Sequence, residues 1–462
     1  MLPSRAVPRF PALRRARLVC VACALAVGAA CGGGGPRPNV LLITLDTTRA
    51  DHLSVYGHRR HTSPRIDALA TEATLYLNAR STSSWTLPAH ASMFTGKFPT
   101  SHGARYDPEG PLDLDAAIDD RSQIRARGVS PHEETLARRL SEAGYATAGF
   151  AGGPWLLRVF GLAEGFEHWD DDGILNVRGR PAADLLRAVI AWLDAREAAA
   201  DARPFFLFVN FFDPHFPYDA PAPYTREYLP DRVELDKLDR VQWDALYDAE
   251  IRYADEHVGL LLDSLRERGV YDDTLVIVTA DHGEMLGEHG AWGHNGILFE
   301  PLVRVPLVVK PPGPARARVE ERPIQLHALY PMVLAAAGVE HPAADDGAEP
   351  VLAEVWHPPH PGIGEWKVLW EGSLKYMDHS DGDDRLYDLA EDPRERLNLV
   401  GDRPEEATRL RERLAQVIAS LPPPLPSGEA LPIDAETRET LERLGYLTGD
   451  EPAGDAADEP AE

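Results

Sequence analysis

The chain has 462 residues, of which 44% are hydrophobic, so it can bury a large core as one large domain with a small appendage. Its formal net charge is −27, from 74 acidic and 47 basic residues. This acidic balance argues against nucleic acid as a partner, and an anionic substrate would need a locally positive pocket.

The first 31 residues have the pattern of an export signal. Five arginines precede and border an apolar run at 18–30, which is too short to span a bilayer comfortably and is typical of a signal peptide. Small residues lead directly into Cys31, which resembles the lipid-attachment motif of bacterial lipoproteins. We therefore predict an extracytoplasmic protein, in the periplasm or at the cell surface, anchored to a bacterial membrane through a lipid on Cys31. Ordinary secretion is the alternative.

Cysteine usage limits the chemistry of the rest of the chain. The three cysteines are Cys20, Cys23 and Cys31, and all of them lie in the leader. The segment after residue 31 therefore has no cysteine for a disulfide bond, a thiolate metal ligand or a nucleophile.

From residue 37 to 340 the sequence alternates between predicted strands and helices. Apolar runs predict buried strands at 39–45, 145–150, 205–210 and 274–279. Between them, apolar spacing and capping residues predict four helices: one starting at Ser63, one starting at Ser130 in a capping box with Glu133, one at 182–196, and a long one ending at Gly269. Strands separated by helices predict an α/β fold with a mostly parallel sheet sandwiched by helices.

After residue 340 the pattern changes to short strands and one helix. Strands are predicted at 367–370, 375–377 and 386–389, and a helix at 405–418. We interpret residues 341–421 as a small C-terminal α+β subdomain. Residues 422–462 combine a stiff proline linker, a short helix at 435–444 and an acidic tail.

Polar side chains follow three of the predicted strands. Asp46 follows the first, Asp281 and His282 follow the strand at 274–279, and Asp213 and His215 follow the strand at 205–210. Chemistry in parallel sheets collects beyond the carboxyl ends of the strands. Carboxylate and imidazole groups there are suited to a divalent metal ion. The alternative is that each aspartate merely caps the helix that follows it.

A fourth polar site lies at the predicted start of another helix. Pro88 suits a first helical turn and Gly96 a helix end, which places Thr86 at a helix N-terminus. Backbone N–H groups and the helix dipole favour anions and a developing alkoxide at that position. Taken alone, Thr86 is better explained as an ordinary helix cap.

Taken together, these segments resemble the sulfatase family of the alkaline phosphatase superfamily. The strongest stretches are 39–57, 84–96, 205–218 and 247–306, and residues 386–399 resemble the family's C-terminal subdomain. The resemblance implies an alkaline-phosphatase-like fold and a metal-dependent hydrolase of sulfuric or phosphoric esters.

The sequence departs from the formylglycine sulfatases at their signature positions. Those enzymes oxidise the Cys or Ser of a Cys/Ser-x-Pro-x-Arg motif, which here has Thr86 at the first position and His90 at the last. Oxidation of threonine would give a ketone instead of an aldehyde. The second signature keeps Gly-Tyr-x-Thr at 144–147 but lacks its lysine and histidine, and the second aspartate of the N-terminal pair is Thr47.

The residues that remain are Asp46, Thr86, Asp281 and His282, which resemble the single-metal set of lipoteichoic-acid synthases. They also resemble half of the two-metal site of nucleotide pyrophosphatases. The resemblance implies that all four bind one divalent metal ion, Ca²⁺, Mg²⁺, Mn²⁺ or Zn²⁺, with the histidine favouring Mn²⁺ or Zn²⁺. Thr86 would also be the nucleophile.

Three further residues are candidates for the catalytic site. His215 is the candidate general acid for the leaving group, or else a loop histidine stacked on aromatic rings. His294 or Arg49 would hold the oxygens of the anion.

A threonine intermediate must be discharged by direct attack of water or an acceptor, so the chemistry favours phosphate esters over sulfate esters. The substrate would be a sulfated or phosphorylated ester, such as a glycan or a lipid head group. A phosphoglycerol-type phosphotransferase and a non-catalytic glycan- or anion-binding protein are the alternatives.

Overall fold

The structure is a computed structural model that describes residues 37–107, 112–114, 124–174, 178–229, 240–294, 296–341, 351–356 and 364–426. The predicted export signal at 1–31, the predicted helix at 435–444 and the acidic tail lie outside the described residues.

The strands of the described residues follow in chain order. They are β1 (Asn39–Leu45), β2 (Thr74–Tyr76), β3 (Ala79–Arg80), β4 (Arg105–Tyr106), β5 (Leu112–Leu114), β6 (Ile124–Arg127), β7 (Ala146–Phe150), β8 (His168–Asp170), β9 (Phe205–Phe211), β10 (Thr274–Thr279), β11 (Met285–Leu286), β12 (Trp292–Gly293), β13 (Leu307–Lys310), β14 (Arg318–Glu320), β15 (Ile324–Gln325), β16 (Val351–Val355), β17 (Trp366–Glu371), β18 (Leu374–His379) and β19 (Arg385–Asp388).

The α-helices are α1 (Pro64–Ala70), α2 (Thr86–Thr95), α3 (Pro99–His102), α4 (Leu136–Glu142), α5 (Ala182–Ala198), α6 (Ala222–Tyr228), α7 (Arg240–Glu267), α8 (Glu300–Val303), α9 (Leu329–Ala336) and α10 (Pro404–Ser420). Short 3-10 turns occur at Ala50–His52, Ser54–Tyr56, Pro154–Leu156, Arg158–Phe160, Glu288–Gly290 and Leu326–Ala328. Within the described residues, no helix combines the length and the apolar character needed to cross a membrane.

The main sheet has the strand order β14-β2-β13-β10-β1-β9-β7-β8. The five strands from β10 to β8 run parallel to one another, whereas β13 is antiparallel to both of its neighbours. The strand β1 therefore lies between β10 and β9, with the carboxyl ends of all three at one edge. This arrangement confirms the predicted fold class, a mostly parallel sheet sandwiched by helices.

Both faces of this sheet are buried, which explains the continuous apolar runs of its central strands. Along β1, Val40 and Leu42 belong to a core that includes side chains of α2, α4 and α9. Leu41, Ile43 and Leu45 belong to a second core with side chains of α1, α5 and α7. Because side chains alternate along a strand, one run of apolar residues supplies both layers.

The C-terminal part forms a separate antiparallel sheet with the order β16-β17-β18-β19. Leu410 and Leu414 of α10 belong to the core on one face of it, and Phe299 and Leu302 from the larger part belong to the core on the other face. A buried Lys375 adds an ionic link through Glu395 Oε1 at 2.6 Å and Glu300 Oε1 at 3.2 Å. The exact domain boundaries stay a prediction, since the two parts share an apolar contact.

The predicted capping box at Ser130 and Glu133 is wrong. The helix α4 begins later, and Thr135 is its N-cap, with Oγ1 accepting a hydrogen bond from the backbone N of Arg138 at 3.2 Å. Glu133 instead pairs with Lys97 at 2.6 Å. Ser130 and Glu133 have the spacing of a capping box, but Glu133 forms an ion pair with Lys97, which is distant in the sequence.

Candidate active site

The ends of β1 and β10 bring two carboxylates together. Asp46 comes directly after β1, and its backbone N bonds to the carbonyl of Phe211, which prolongs the pairing with β9. Asp281 follows β10 by one residue. Both side chains are fully buried. Because β1 and β10 are adjacent and parallel, residues 235 positions apart in sequence meet at one edge of the sheet.

Asp46, Asp281 and His282 form a compact group in which each offers a ligand atom, and these atoms all lie within 4.8 Å of one another. Thr86 is the first residue of α2 and lies beside this group, with its Oγ1 3.3 Å from Nε2 of His282. The structure therefore brings together the four residues predicted to bind the metal. Their individual roles stay predictions.

Backbone contacts hold Asp281 and His282 in orientation. Asp281 Oδ1 accepts hydrogen bonds from the backbone N atoms of Thr47 at 3.1 Å and His282 at 2.9 Å. The Nδ1 of His282 donates to the carbonyl of Gly283 at 2.9 Å, which leaves Nε2 as the lone-pair atom facing the site. Burial, aided by nearby His294, holds the pKa of His282 well below its usual value, so the ring is neutral as a metal ligand must be.

A chain of hydrogen bonds runs from the sheet to the start of α2. Asn210 Nδ2 donates to Thr44 Oγ1 at 3.0 Å and approaches Asp46 Oδ2 at 3.4 Å. His90 Nε2 lies 3.1 Å from Thr44 Oγ1, and its Nδ1 donates to the carbonyl of Thr86 at 2.8 Å. Burial lowers the pKa of His90, which keeps it neutral and able to accept from Thr44. His90 thus fixes the first turn of α2 and positions Thr86.

The electrostatics of the site fit a bound divalent cation. Burial, together with the carboxylate of Asp281, raises the pKa of Asp46 well above its usual value, and burial also raises the pKa of Asp281. The buried Glu284 adds a third carboxylate to this repulsion. Asp46 Oδ1 and Asp281 Oδ2 are buried without a hydrogen-bond partner. Two unpaired carboxylate oxygens beside a neutral imidazole and a hydroxyl match the ligands of a divalent metal.

Two further histidines extend the site outward from His282. The ring of His294 lies 4.7 Å from that of His282 and 4.9 Å from that of His215, measured between centroids. His294 Nδ1 bonds to Glu284 Oε1 at 3.1 Å. Burial alone would lower the pKa of His294, but the carboxylate of Glu284 raises it, which favours a protonated ring that can attract an anion.

His215 lies at the outer end of this row of histidines. Its ring stacks on Phe212 at 4.3 Å, as the alternative interpretation of a stacked loop histidine expects, and its Nδ1 lies 2.5 Å from the carbonyl of Phe216. Burial and the nearby His294 hold the pKa of His215 well below its usual value. A lowered pKa keeps the ring neutral in the free protein, which weighs against a general acid. The role as general acid stays a prediction.

Arg49 is held by acidic partners close to the site. Its guanidinium makes two hydrogen bonds to Asp51, at 2.9 and 2.8 Å, one to Glu288 at 2.9 Å and one to the carbonyl of Glu284 at 3.1 Å. These bonds neutralise the cation and orient the turn after β1. Of the two residues predicted to hold the anion, the geometry therefore favours His294.

Two residues at strand ends point away from the metal group. Thr47, where the family's second aspartate is expected, has a left-handed φ of 52°, and its Oγ1 donates to the carbonyl of Pro214 at 2.9 Å. Asp213 accepts a hydrogen bond from the backbone of Ala182 at the start of α5, and burial raises its pKa to about 7. Asp213 therefore bonds to the start of a helix that precedes it in the chain and does not cap the helix that follows it, as the alternative interpretation expected.

A second group of possible ligands, His52, His58 and Asp248, lies apart from this site. Asp248 bonds to Nδ1 of His52 at 2.7 Å and to Nε2 of His58 at 3.0 Å, and the guanidinium of Arg60 lies 2.5 Å from the same carboxylate. Since the arginine already neutralises Asp248, the group is a structural ion-pair cluster.

Sequence reasoning missed Asn210, Glu284 and Tyr247 as parts of the site. Tyr247 donates to the carbonyl of Thr47 at 2.6 Å and accepts from the backbone N of Arg49 at 2.9 Å, which braces the turn after β1. Two of these residues could have been found in the sequence, because their polar side chains occur where an unpaired polar group is not expected. An amide in a strand that is otherwise apolar, and a glutamate two residues after the candidate metal ligand His282, both require buried partners.

Comparison with known proteins agrees with this geometry. The sulfatase family model matches residues 38–339. The multifunctional alkaline phosphatase superfamily protein PehA of Trinickia caryophylli is 28% identical, over 81% of this chain and 93% of its own. The phosphonate monoester hydrolase of Agrobacterium radiobacter superposes with a TM-score of 0.66 at 21% identity, covering 83% of this chain and 96% of its own. BT4656, solved in complex with its substrate D-glucosamine-2-N,6-O-disulfate, superposes with a TM-score of 0.65 at 18% identity, covering 84% and 99%.

Proposed function

The chain belongs to the sulfatase family of the alkaline phosphatase superfamily and is an ester hydrolase, and we propose that it cleaves phosphate esters with Thr86 as the nucleophile. One observation carries the proposal. The hydroxyl of Thr86 lies 3.3 Å from Nε2 of His282, at a helix N-terminus and beside two unpaired carboxylate oxygens. Residues 86–90 also resemble the family's signature motif, and Thr86 lies at the position of its nucleophile.

The identity of the nucleophile determines which esters suit the enzyme. A formylglycine releases sulfate when its hemiacetal collapses, and threonine cannot form that aldehyde. A threonine ester must instead be broken by water attacking the central phosphorus or sulfur atom. Phosphoryl groups undergo this in-line displacement readily, so the threonine favours phosphate esters.

The reaction then proceeds in two balanced steps. In the first, Thr86 Oγ1 forms a bond to phosphorus while the bond from phosphorus to the leaving oxygen breaks. Thr86 loses its hydroxyl proton to solvent, and the leaving oxygen gains a proton from His215, whose lowered pKa the anionic substrate would raise on binding. In the second step water attacks phosphorus and gives one proton to His215, the bond to Thr86 breaks, Thr86 regains a proton from solvent and free phosphate leaves.

The residues around Thr86 bind and orient the reacting groups. A divalent cation held by Asp46, Asp281, His282 and Thr86 would lower the pKa of the threonine hydroxyl and polarise the phosphoryl oxygens. His90 holds the carbonyl of Thr86 and thereby the direction of its side chain. His294, protonated against Glu284, would attract the remaining oxygens of the anion.

Known relatives support both phosphorus-ester and sulfate-ester hydrolysis. PehA is described as multifunctional, the Agrobacterium protein is a phosphonate monoester hydrolase, and BT4656 takes a sulfated glucosamine. On that basis we extend the proposed substrates to phosphonate monoesters and, as the less favoured class, to sulfated glycans. The residues that bind the cation are compatible with Ca²⁺, Mg²⁺, Mn²⁺ or Zn²⁺.

An ester panel tests the proposal. The purified protein is stripped of metal with a chelator, reloaded with each candidate cation and assayed with 4-nitrophenyl phosphate, bis(4-nitrophenyl) phosphate, 4-nitrophenyl phenylphosphonate and 4-nitrophenyl sulfate. We expect turnover to require the cation and phosphorus esters to react faster than the sulfate ester. A preference for the sulfate ester, with Thr86 unmodified by mass spectrometry, would overturn the proposed substrate class.

We further propose that the protein is exported and anchored through Cys31 to a bacterial membrane. The basic leader, the apolar run and the small residues before Cys31 support this location. A single acyl chain anchors only weakly, so stable attachment would require the multiply acylated lipoprotein form.

A further inference from the structure

Four aromatic residues form a continuous surface, which we call the aromatic surface: Phe216, Tyr218, Trp243 and Trp292. The ring of Trp243 lies 5.9 Å from Phe216, 6.0 Å from Tyr218 and 6.2 Å from Trp292, measured between centroids. Phe216 and Tyr218 meet edge to face at 5.7 Å. The rings come from three separate parts of the chain, namely the loop after β9, the start of α7 and β12.

Two of the four rings are open to solvent, whereas Trp243 is half-buried and Tyr218 is buried. Phe216 is 51% exposed and Trp292 is 53% exposed, and among the described residues these are the exposed Phe and Trp side chains. The remaining exposed large apolar residues are aliphatic. Exposed aromatic side chains that cluster in one place commonly mark a binding surface.

The aromatic surface is continuous with the candidate active site. Phe216 directly follows His215, whose ring lies 4.9 Å from His294. Trp292 begins β12, and His294 directly follows the end of this strand. Burial and the nearby carboxylate of Glu284 raise the pKa of Tyr218, and Glu284 in turn holds His294. A group that leaves from phosphorus on the His215 side of the site would therefore meet these rings.

In the part of the chain that the structure describes, the arginines beside the aromatic surface are paired with carboxylates. Arg240, at the start of α7, pairs with Glu288 at 2.7 Å, and Glu288 also pairs with Arg49 at 2.9 Å. A leaving group that carried further sulfates or phosphates would need cations free to meet them. Paired cations and exposed rings favour an uncharged, flat and apolar group.

We propose that the aromatic surface binds the leaving group of the substrate and selects esters whose leaving group is an uncharged aromatic ring. The proposal rests on the ester hydrolysis proposed above, and it identifies Phe216, Trp243 and Trp292 as residues that determine specificity. The rings contact the leaving group alone, so they influence its binding without touching the phosphoryl oxygens.

Calorimetric binding of stable analogues tests this without turnover. Benzylphosphonate is an isostere of phenyl phosphate, and ethylphosphonate is an isostere of methyl phosphate. We expect the wild-type protein to bind the benzyl compound at least about 10-fold more tightly, which is the range of one good aromatic contact plus its buried area. Benzylsulfonate and ethylsulfonate serve in the same way if the site prefers sulfate-like anions.

Single substitutions then identify the residues that cause the preference for the benzyl compound. Trp243→Ala and Phe216→Ala should each weaken binding of the benzyl compound several-fold and leave the ethyl compound unchanged, whereas Trp243→Phe should retain the preference. Leu397→Ala removes an exposed side chain that is not part of the aromatic surface, and should change neither affinity.

Equal affinity for the benzyl and ethyl compounds, or equal losses for both in Trp243→Ala, would overturn the inference. Equally tight binding of cyclohexylmethylphosphonate would also overturn it, since a saturated ring would then suffice. If the ester panel gives no turnover while the benzyl preference is present, the proposed function fails and the aromatic surface stands.

Discussion

The hydroxyl oxygen of Thr86 lies 3.3 Å from Nε2 of His282, although the two residues are 196 positions apart in the chain. Thr86 begins α2 on one face of the sheet, and His282 follows β10. The contact therefore exists only because the helix packs on the strands with its N-terminus at their carboxyl edge. The catalytic proposal depends on this contact.

Replacing Thr86 tests its role as nucleophile. Thr86→Ala removes the attacking oxygen and one metal ligand, so we expect kcat/KM to fall on the order of 10³-fold or more. Thr86→Ser keeps the hydroxyl and removes only a methyl group, so it should retain substantial activity. Steady-state kinetics with the best ester of the panel measure both, and intact folding is checked by circular dichroism. Full activity in Thr86→Ala would refute the assignment.

Asp46→Asn should have opposite effects on stability with and without metal. Without metal, the substitution removes one of the crowded carboxylates, so the variant should melt at or above the wild-type temperature. With added Mn²⁺ or Zn²⁺, the wild type should gain more in Tm than the variant, because the bound ion stabilises only the folded state.

Asp213→Asn provides the matched control for this experiment, since Asp213 is buried and has a raised pKa but caps α5 outside the metal group. It should respond to metal as the wild type does. An Asp46→Asn protein with the full metal-dependent gain would show that Asp46 is not a ligand.

His215 is expected to matter most when the leaving group is poor. A general acid protonates the leaving oxygen, so His215→Ala should slow hydrolysis of an alkyl phosphate by about 10²-fold or more. The loss should be much smaller for 4-nitrophenyl phosphate, whose leaving group needs no proton. Comparing the two kcat/KM values measures this. Equal losses for both esters would indicate that the ring only stacks on Phe212.

A pH effect on stability is expected from Asp255. Its carboxylate accepts hydrogen bonds from the backbone N atoms of Arg65 and Ile66 at the start of α1, and burial raises its pKa from 3.8 to about 7. The unfolded chain loses this proton at a lower pH than the folded protein does. The contribution of Asp255 to the free energy of unfolding therefore falls as the pH rises from about 4 to about 7.

Asp255→Asn cannot lose a proton, so it should lack this contribution to the pH dependence. Relative to the wild type, the variant should become more stable by a growing margin between pH 5 and pH 8, as measured by chemical denaturation. A difference that stays constant over this range would mean that Asp255 does not titrate there.

Cys31 is expected to control the location of the protein. In a bacterial host, the wild-type protein should fractionate with membranes, and Cys31→Ser should be released or left unprocessed. Cys20→Ser changes a cysteine of the leader that is not the acceptor, so it should behave as the wild type. Recovery of wild type and Cys31→Ser alike in the soluble fraction would leave ordinary secretion as the explanation.

Much of the fold could be predicted because periodicity is a local signal. The strand Thr274–Thr279 has its predicted ends, and the helix Ala182–Ala198 begins where its apolar pattern begins. The start of α4 could not be predicted in the same way. Ser130 and Glu133 had the spacing of a cap, yet Lys97, far away in sequence, pairs with the glutamate and leaves Thr135 as the N-cap.

The family, the alternation of strands and helices, and the polar residues that follow β1 and β10 could all be predicted from the amino-acid sequence. These features depend on residue order and on spacing within one element. Which polar residues face one another depends on how the elements pack. The tertiary structure paired Arg49 with Glu288, placed His294 against Glu284, and linked Asn210 through Thr44 to His90. Each pairing joins different segments, so its energy depends on distances that only the packed sheet and helices set.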